Sequence, residues 1–555
     1  MSLPEFSGQA QLFSTAALTG KLFGPTDRYR LMAQKVYPVL VQTRAELERC
    51  YCVDNGRVAI EPVILLGVSL LQYLEDVPDR QAVEMMRYHA GWNLALNCQL
   101  GEQQFHPTTL VHFRQRLLEQ DLSAVAFEAV LDALAQSGLI KRRSRQRLDS
   151  TQMLGRVSRM SRLDCVRESL RLALKEIGTK LSPVQQPEWW SILWERYVDS
   201  QTDYRASVET LARKLVEAGQ DGQRLLSWVA EEPGSKWAPG KQVQLLGRVL
   251  GEQFELTAAA APQPKAKEQL SSERVQNPHE PEATYASKGN GEHRKEHVGY
   301  KVQVAETVSE AVLAAGEPTG NFIVGIVTHA ARESDEEGAL KMEAEQQTMG
   351  LEKPSVNYVD AAYVSTEKLV EAAAEGRELI GPAPKCANNN DGRFQSEHFQ
   401  VAVEQRQATC PAGHQNSQCS RLVEKATGRV AYRFEWDTAT CAACPLRLKC
   451  IKAEHKHRTL VVGENHTVLQ ARRQEQQTKE FKARLKHRNA IEGTQSELVR
   501  AHGLRRARYR GLAKTKLQNY FIGAACNVKR WLRRVAWEMQ QAFSRAAANI
   551  TPATN

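Results

Sequence analysis

The carboxylate in the strangest setting is Glu492. Arg488-Asn489-Ala490-Ile491-Glu492-Gly493 lies within Arg484 to Arg534, a stretch with fourteen Lys or Arg and two acidic residues, Glu492 and Glu497. That local excess of twelve is larger than the +10 of the whole chain. A surface so basic suits a phosphate backbone. A carboxylate placed there is repelled by phosphate unless a divalent cation lies between them. At helical spacing Arg488, Glu492, Gln495 and Val499 share one face. Two readings follow: a carboxylate that holds a metal, or an i,i+4 Arg–Glu pair on a solvated helix.

Two more carboxylates stand out by position. Asp149, in Arg147-Leu148-Asp149-Ser150-Thr151, follows the basic run Lys141 to Arg147 and reads as part of a short strand. Asp360 ends a second strand-like run, Ser355-Val356-Asn357-Tyr358-Val359-Asp360. Three carboxylates on separate elements converge only if the fold brings them together. The chemical reason to do so is a pair of Mg²⁺ ions about 4 Å apart, which need hard oxygen ligands and neutralise phosphoryl charge.

The second constellation is sulfur. Five of the eleven cysteines fall between Cys410 and Cys450. Met1-Ser2-Leu3-Pro4-Glu5 lacks the charged-then-apolar pattern of a signal peptide, so a cytoplasmic chain is expected and the clustering points to metal rather than disulfides. Cys441-Ala442-Ala443-Cys444, then Cys450, with Cys410 upstream, is adequate for a tetrahedral structural Zn²⁺ site. His414 and Cys419 are substitutes for one of the four. The other reading is reduced cysteines in a small core. Cys50, Cys52, Cys98, Cys165, Cys386 and Cys526 read as ordinary thiols.

The elements that must position these groups are legible in the periodicity. A length of 555 residues allows two to four domains, and 42% hydrophobic with 25% charged residues is ordinary for a soluble protein. The most apolar run, Pro62 to Leu74, is too short to span a bilayer, so no membrane partner is expected. Residues 1–140 read as a helical N-terminal domain, either for DNA binding or dimerisation or packed with no direct contacts of its own, and 141–158 carry the first strand. Residues 159–277 form a helical insertion ending in a linker that begins near Ala258. Residues 278–382 hold two further strands, a helix, a strand, a helix and a strand-like end, which with the first strand is the order of a mixed sheet with helical crossovers. Residues 383–465 are the Cys-rich insertion, and 466–555 the C-terminal helix and basic tail, with an amphipathic helix from Asn527 to Ala547.

Several of these blocks resemble a known family. Asp149 in Leu148-Asp149-Ser150-Thr151, Gly299-Tyr300-Lys301, Val359-Asp360-Ala361-Ala362-Tyr363, Arg488 to Gly493, and the tail from His502 to Gly511 and Ala525 to Arg530 look like the signature blocks of bacterial insertion-sequence DDE transposases, within the branch known as the eleven-eighty-two family. The resemblance implies an RNase H-like catalytic core in a mixed α/β fold. It implies Asp149, Asp360 and Glu492 as the catalytic residues and ligands of two Mg²⁺ (or Mn²⁺) ions. It also implies terminal inverted repeats and target DNA as partners, hydrolysis followed by 3′-end joining, and a homodimer or higher oligomer on DNA. DNA contacts are expected from Arg488, Arg500, Arg505, Arg506, Arg508, Arg510 and Lys514, and from Lys301 near the start of a strand. The family's Tyr and Lys positions around the final motif are Leu485 and Val499 here. Two alternatives stay open: a transposase-derived DNA-binding protein without chemistry, and a metal-dependent nuclease on the same core.

Overall fold

Five strands run through the middle of the molecule: β1 (Arg145–Leu154), β2 (Lys295–Thr307), β3 (Ile323–Ala330), β4 (Val356–Tyr358) and β5 (Glu378–Ile380). The structure is a computed structural model. It describes residues 1–555 except 4–14, 20, 53–55, 201–205, 258–259, 290–293, 310–312, 385–391, 426–427, 453 and 551–555, so Cys386 lies outside the described residues. Their order across the sheet is β3-β2-β1-β4-β5, and a short strand, Thr284–Lys288, shares the outer edge of β2 with β3. β2 is antiparallel to both neighbours, whereas β4 and β5 run parallel to β1.

The sequence of β2 explains the layers around it. From Tyr300 to Thr307 every residue is buried, which requires cover on both faces of the sheet. On one face lies α1 (Asp335–Thr348), started by a capping box between Ser334 and Glu337. It approaches so closely that a Cβ on Gly325 would stand 2.2 Å from the Met342 sulfur. The opposite face takes the long C-terminal helix α5 (Leu512–Ile550), whose Asn519 donates to Thr328 Oγ1 (2.7 Å) and whose Asn527 side chain brackets the Ile323 backbone, accepting from its N–H and donating to its carbonyl, both at 2.8 Å. The N-terminal helices cover the other side of α5, with Tyr73 stacked on Phe521 at 5.6 Å and Phe127 at 6.2 Å from Tyr520. One hydrophobic core therefore runs from Tyr29 through the sheet to Leu532.

The insertions have cores of their own. The first is built by helices such as Arg162–Gly178, Val208–Ala230 and Lys241–Gln253 around Trp190 and Trp237. Its two ends meet: Met160 N–H donates to the Gln276 carbonyl (3.0 Å), and the Asn277 amide to that of Ser158 (2.9 Å). The second centres on Phe399, Phe434 and Trp436 beneath a three-stranded sheet.

Three expectations about elements need correction. The segment after Ala258 is no loose linker: Ala260–Pro264 pairs with Phe254–Thr257, and Val275, Gln276 and Asn277 are buried. The apolar Val275 enters the insertion core while its N–H is taken by Glu252 (2.7 Å). The C-terminal helix starts fifteen residues before Asn527, at Leu512, because Leu517, Phe521 and Ile522 already give it a buried face. The presumed single helix around Glu492 is two, α3 (Lys479–Asn489) and α4 (Ile491–Ala501), parted at Ala490.

Candidate active site and cysteine cluster

The parallel register of β1 and β4 sets the two aspartates side by side. Arg147 stands opposite Tyr358, and Asp149 and Asp360 each lie two residues further along their chains. Two residues is the repeat of a strand face, so both side chains emerge on one side at one level. Asp149 Oδ1 accepts from the Ser150 N–H (2.8 Å) and Asp360 Oδ1 from the Ala362 N–H (2.8 Å), which caps the turn Ala361–Tyr363. Their other oxygens share a cation: Arg488 Nη2 is 3.1 Å from Asp149 Oδ2 and 3.8 Å from Asp360 Oδ2. Burial pushes the Asp149 carboxyl above its ordinary range, the Ser150 N–H and Arg488 pull it back, and Asp360 and Asp335 push it up again. A carboxylate pair meeting on one cation is a hard-oxygen donor set that fits Mg²⁺ or Mn²⁺.

Arg488 sits at the end of α3, fixed from behind. The preceding carbonyl, of His487, accepts from Arg147 Nη1 (3.1 Å), and the His487 ring lies 5.5 Å from Tyr358. Arg488 faces the aspartates, and among the described residues it makes no ion pair with Glu492. Glu492 itself is exposed in the first turn of α4. One turn on, Gln495 donates to the Ser150 carbonyl (3.2 Å). The structure thus brings Asp149 and Asp360 onto one cation and sets Glu492 on the adjoining helix, outside that contact. Among the described residues the three carboxylates do not form a group with oxygens within 4.8 Å of one another.

A buried network that sequence reasoning missed holds α4 to the sheet. Glu306 of β2, 1% exposed, pairs with both Arg147 and Arg530 and accepts from Thr494 Oγ1 of α4 (2.7 Å). Arg530 of α5 also reaches Thr494 Oγ1 (3.0 Å) and Glu497 (2.9 Å). The signal was there: a lone Glu in the apolar strand Val302-Gln303-Val304-Ala305-Glu306 must have partners if it is buried. Nearby, Gln303 is buried between Tyr363, His329 and Asp335.

The expected DNA contacts divide into two groups. Arg500, Arg505, Arg506, Arg510 and Lys514 are exposed. Residues 505–507 are pinned to the end of β1 by the bonds Leu154 N–H to Arg505 carbonyl (3.0 Å) and Ala507 N–H to Leu154 carbonyl (2.8 Å). Arg506 borders a cleft of about 370 Å³ with Arg156, Arg159 and Tyr285. Arg508 and Lys301 belong elsewhere. Arg508 pairs with Asp76, donates to the Val77 carbonyl (2.9 Å) and lies over the Tyr73 ring at 4.6 Å, fastening the tail to the N-terminal helices. Lys301 is no edge lysine: β2 is an interior strand, and its ammonium is buried on the Glu333 carbonyl (2.7 Å) and Asp335 (3.3 Å). Both cations are therefore engaged by contacts within the fold.

In the second insertion, Cys441 and Cys450 are buried, and Cys410 and Cys444 half-buried. Burial pushes the Cys450 thiol up; Arg458 opposes this, and the Cys441, Cys410 and Cys444 thiols add to it. The four thiols are near enough to act on one another's charge, but among the described residues no three of their sulfurs lie within 4.8 Å of one another; as donor types they are the soft set that fits Zn²⁺. A tight turn carries Cys410, with Gly413 N–H on the Cys410 carbonyl (2.8 Å) and Cys410 N–H on the His414 carbonyl (2.9 Å). His414 is exposed, and Cys419 lies on the strand Gln418–Val423 opposite Phe434.

Two segments of the chain match known families. Residues 409–532 match the family model described as the transposase DDE domain, and residues 19–116 match that described as transposase domain (DUF772). The first takes in the cysteine cluster, Arg488 and Glu492; the second takes in the N-terminal helices; the two aspartates lie between them. Two transposase matches on one chain support its assignment as an insertion-sequence DDE transposase. No curated protein and no solved structure matches the chain. No helix among the described residues is long and apolar enough to cross a membrane.

Proposed function

We propose that the chain is a cut-and-paste transposase. It binds the terminal inverted repeats of its element, hydrolyses a phosphodiester to free a 3′-hydroxyl, and joins that end to target DNA as a dimer or higher oligomer. The observation that carries the reading is the meeting of Asp149 and Asp360 on Arg488, beside the helix that bears Glu492. The strand order β3-β2-β1-β4-β5, with β2 the strand antiparallel to the rest, supports an RNase H-like core.

In this reading Asp149 and Asp360 hold the catalytic cations, with Glu492 as the third ligand. Bound Mg²⁺ or Mn²⁺ supplies charge neutralisation and an activated oxygen nucleophile. Arg488, released from the aspartates, turns its guanidinium to a DNA phosphate. Gln495 and the Glu306–Arg530 network hold α4 against the sheet, so Glu492 approaches on a fixed helix. Arg500, Arg505, Arg506, Arg510 and Lys514 contact the backbone, which makes affinity fall steeply with salt. Cys410, Cys441, Cys444 and Cys450 hold a structural Zn²⁺, and four protein ligands leave no position for chemistry.

The exposed Glu492 favours one rival, a DNA-binding descendant without cleavage. Incubation with Mg²⁺ and a plasmid carrying the element's ends, beside Asp360→Ala, separates the two. Nicking at the ends that disappears in the variant supports the transposase. Salt-sensitive binding with no cleavage by either protein moves the assignment to the rival.

A further inference from the structure

Behind α4 lies a cluster that the proposed reaction does not use. Glu497 on α4, His502 in the turn after it and Cys526 on α5 each place one ligand atom within 4.8 Å of the other two. Cys526 had read as an ordinary thiol, and no sequence spacing links the three.

His502 is fully buried, with its Nδ1 2.9 Å from the Tyr73 carbonyl. A carbonyl only accepts, so Nδ1 carries the proton and Nε2 the lone pair. Nε2 is buried without a hydrogen-bond partner among the described residues, a costly state for a nitrogen lone pair. An imidazole whose N–H is fixed by a backbone carbonyl, with its second nitrogen left open, is the form in which histidine binds metals. Burial also keeps the ring neutral by lowering its pKa. Cys526 is buried too, and burial pushes its thiol up to about 12 against the pull of Arg530. It therefore ionises only if a cation takes the place of its proton.

We infer that Glu497, His502 and Cys526 form a binding site for a borderline-soft divalent cation, Zn²⁺ by donor type. The charges balance. Zn²⁺ enters, the Cys526 proton leaves to solvent, and a Zn–S bond replaces the S–H bond. One thiolate and one carboxylate then cancel the two positive charges. Glu497 meets Lys529 through Oε1 and Arg530 through Oε2, both at 2.9 Å. Burial works against this carboxylate, but Arg530 and Lys529 hold it down at about 2. Lys529 is the more exposed cation and gives up Oε1 to the metal by turning to water. Arg530 keeps Oε2 and Glu306. The bound ion fastens the end of α4 to α5 and, through the Tyr73 carbonyl, to the helix Pro62–Leu74. Glu492 sits at the other end of α4, so occupancy of this site fixes the helix on which it rides.

The test is metal content of the full chain, purified with excess Zn²⁺, desalted and measured by inductively coupled plasma mass spectrometry. Relative to wild type, Cys526→Ala and His502→Gln each lose one equivalent, Cys441→Ser loses only the equivalent of the cysteine cluster, and Cys441→Ser combined with Cys526→Ala loses both. Cobalt(II) substitution reads the same site by its thiolate charge-transfer absorption, which Cys526→Ala removes in the Cys441→Ser background. Should either variant fail to fold, Glu497→Gln keeps the shape and weakens Zn²⁺ binding at least tenfold. Zinc content and cobalt spectrum unchanged by Cys526→Ala overturn the inference. So does a single equivalent in wild type that Cys441→Ser alone abolishes.

Discussion

Replacing Arg488 with alanine removes the guanidinium that stands 3.1 Å from Asp149 and 3.8 Å from Asp360. Unit charges at such distances attract by about 4–5 kcal/mol at an effective dielectric constant of about 20. Asp360 is 38% exposed, and water screens that contact to the ~0–1 kcal/mol of a surface pair. Asp149 is 13% exposed and keeps more, so the two contacts together contribute roughly 1–2 kcal/mol net. A divalent cation taken by the same carboxylates has to displace the guanidinium first. In the absence of DNA, Arg488→Ala should bind Mn²⁺ about tenfold more tightly than wild type, since about 1.4 kcal/mol is a factor of ten. Electron paramagnetic resonance of free Mn²⁺ measures this, with Asp149→Asn as the variant that lacks one ligand. DNA nicking should fall in Arg488→Ala even as metal binding improves, because the phosphate loses its cation. Mn²⁺ binding equal to or weaker than wild type would refute the argument that Arg488 holds the place of a metal.

Three further outcomes are expected. Glu306→Gln leaves Arg147 and Arg530 buried without their shared carboxylate and should cost about 3–5 kcal/mol; a urea midpoint within error of wild type would contradict the network. Glu345 on α1 has its carboxyl raised from 4.5 to about 7 by burial, with Tyr520 and Lys516 opposing. A folded-state value above the unfolded one means that its stabilising effect is complete below about pH 4.5 and is lost as pH rises through 7. Glu345→Gln should therefore stabilise the protein by up to roughly 3 kcal/mol at pH 8 and hardly at all at about pH 4, a difference visible in thermal melts. Arg505→Ala with Arg506→Ala should lower the slope of log affinity against log salt by about two without changing which DNA sequence is preferred.

The strands were readable along the chain, β2 and β3 from their apolar runs and the polar β1 from its place after a basic run, and Asp149 and Asp360 could be placed on them, but their order across the sheet came only from the fold. Their shared level could not be read, since it depends on the register of Arg147 with Tyr358 across two hundred residues of chain. Helical periodicity put Arg488 and Glu492 on one face, but it is blind to a break at Ala490, where no Pro or Gly marks the stop. Charge counting found the basic pole and could not tell exposed Arg505 from Arg508, which is committed to Asp76. That distinction lies in tertiary contacts.

The ends of the first insertion meet at Ser158–Asn277 and Met160–Gln276, while β1 and β2 pair without interruption from Gln146–Thr307 to Leu154–Gly299. To the sheet, everything between is a hairpin loop, however long. Chain-closure entropy grows only with the logarithm of loop length, so this module can lengthen, shorten or be exchanged at little cost to the strand that carries Asp149. The part of the molecule free to diversify is thereby uncoupled from the part that must keep ångström-scale alignment.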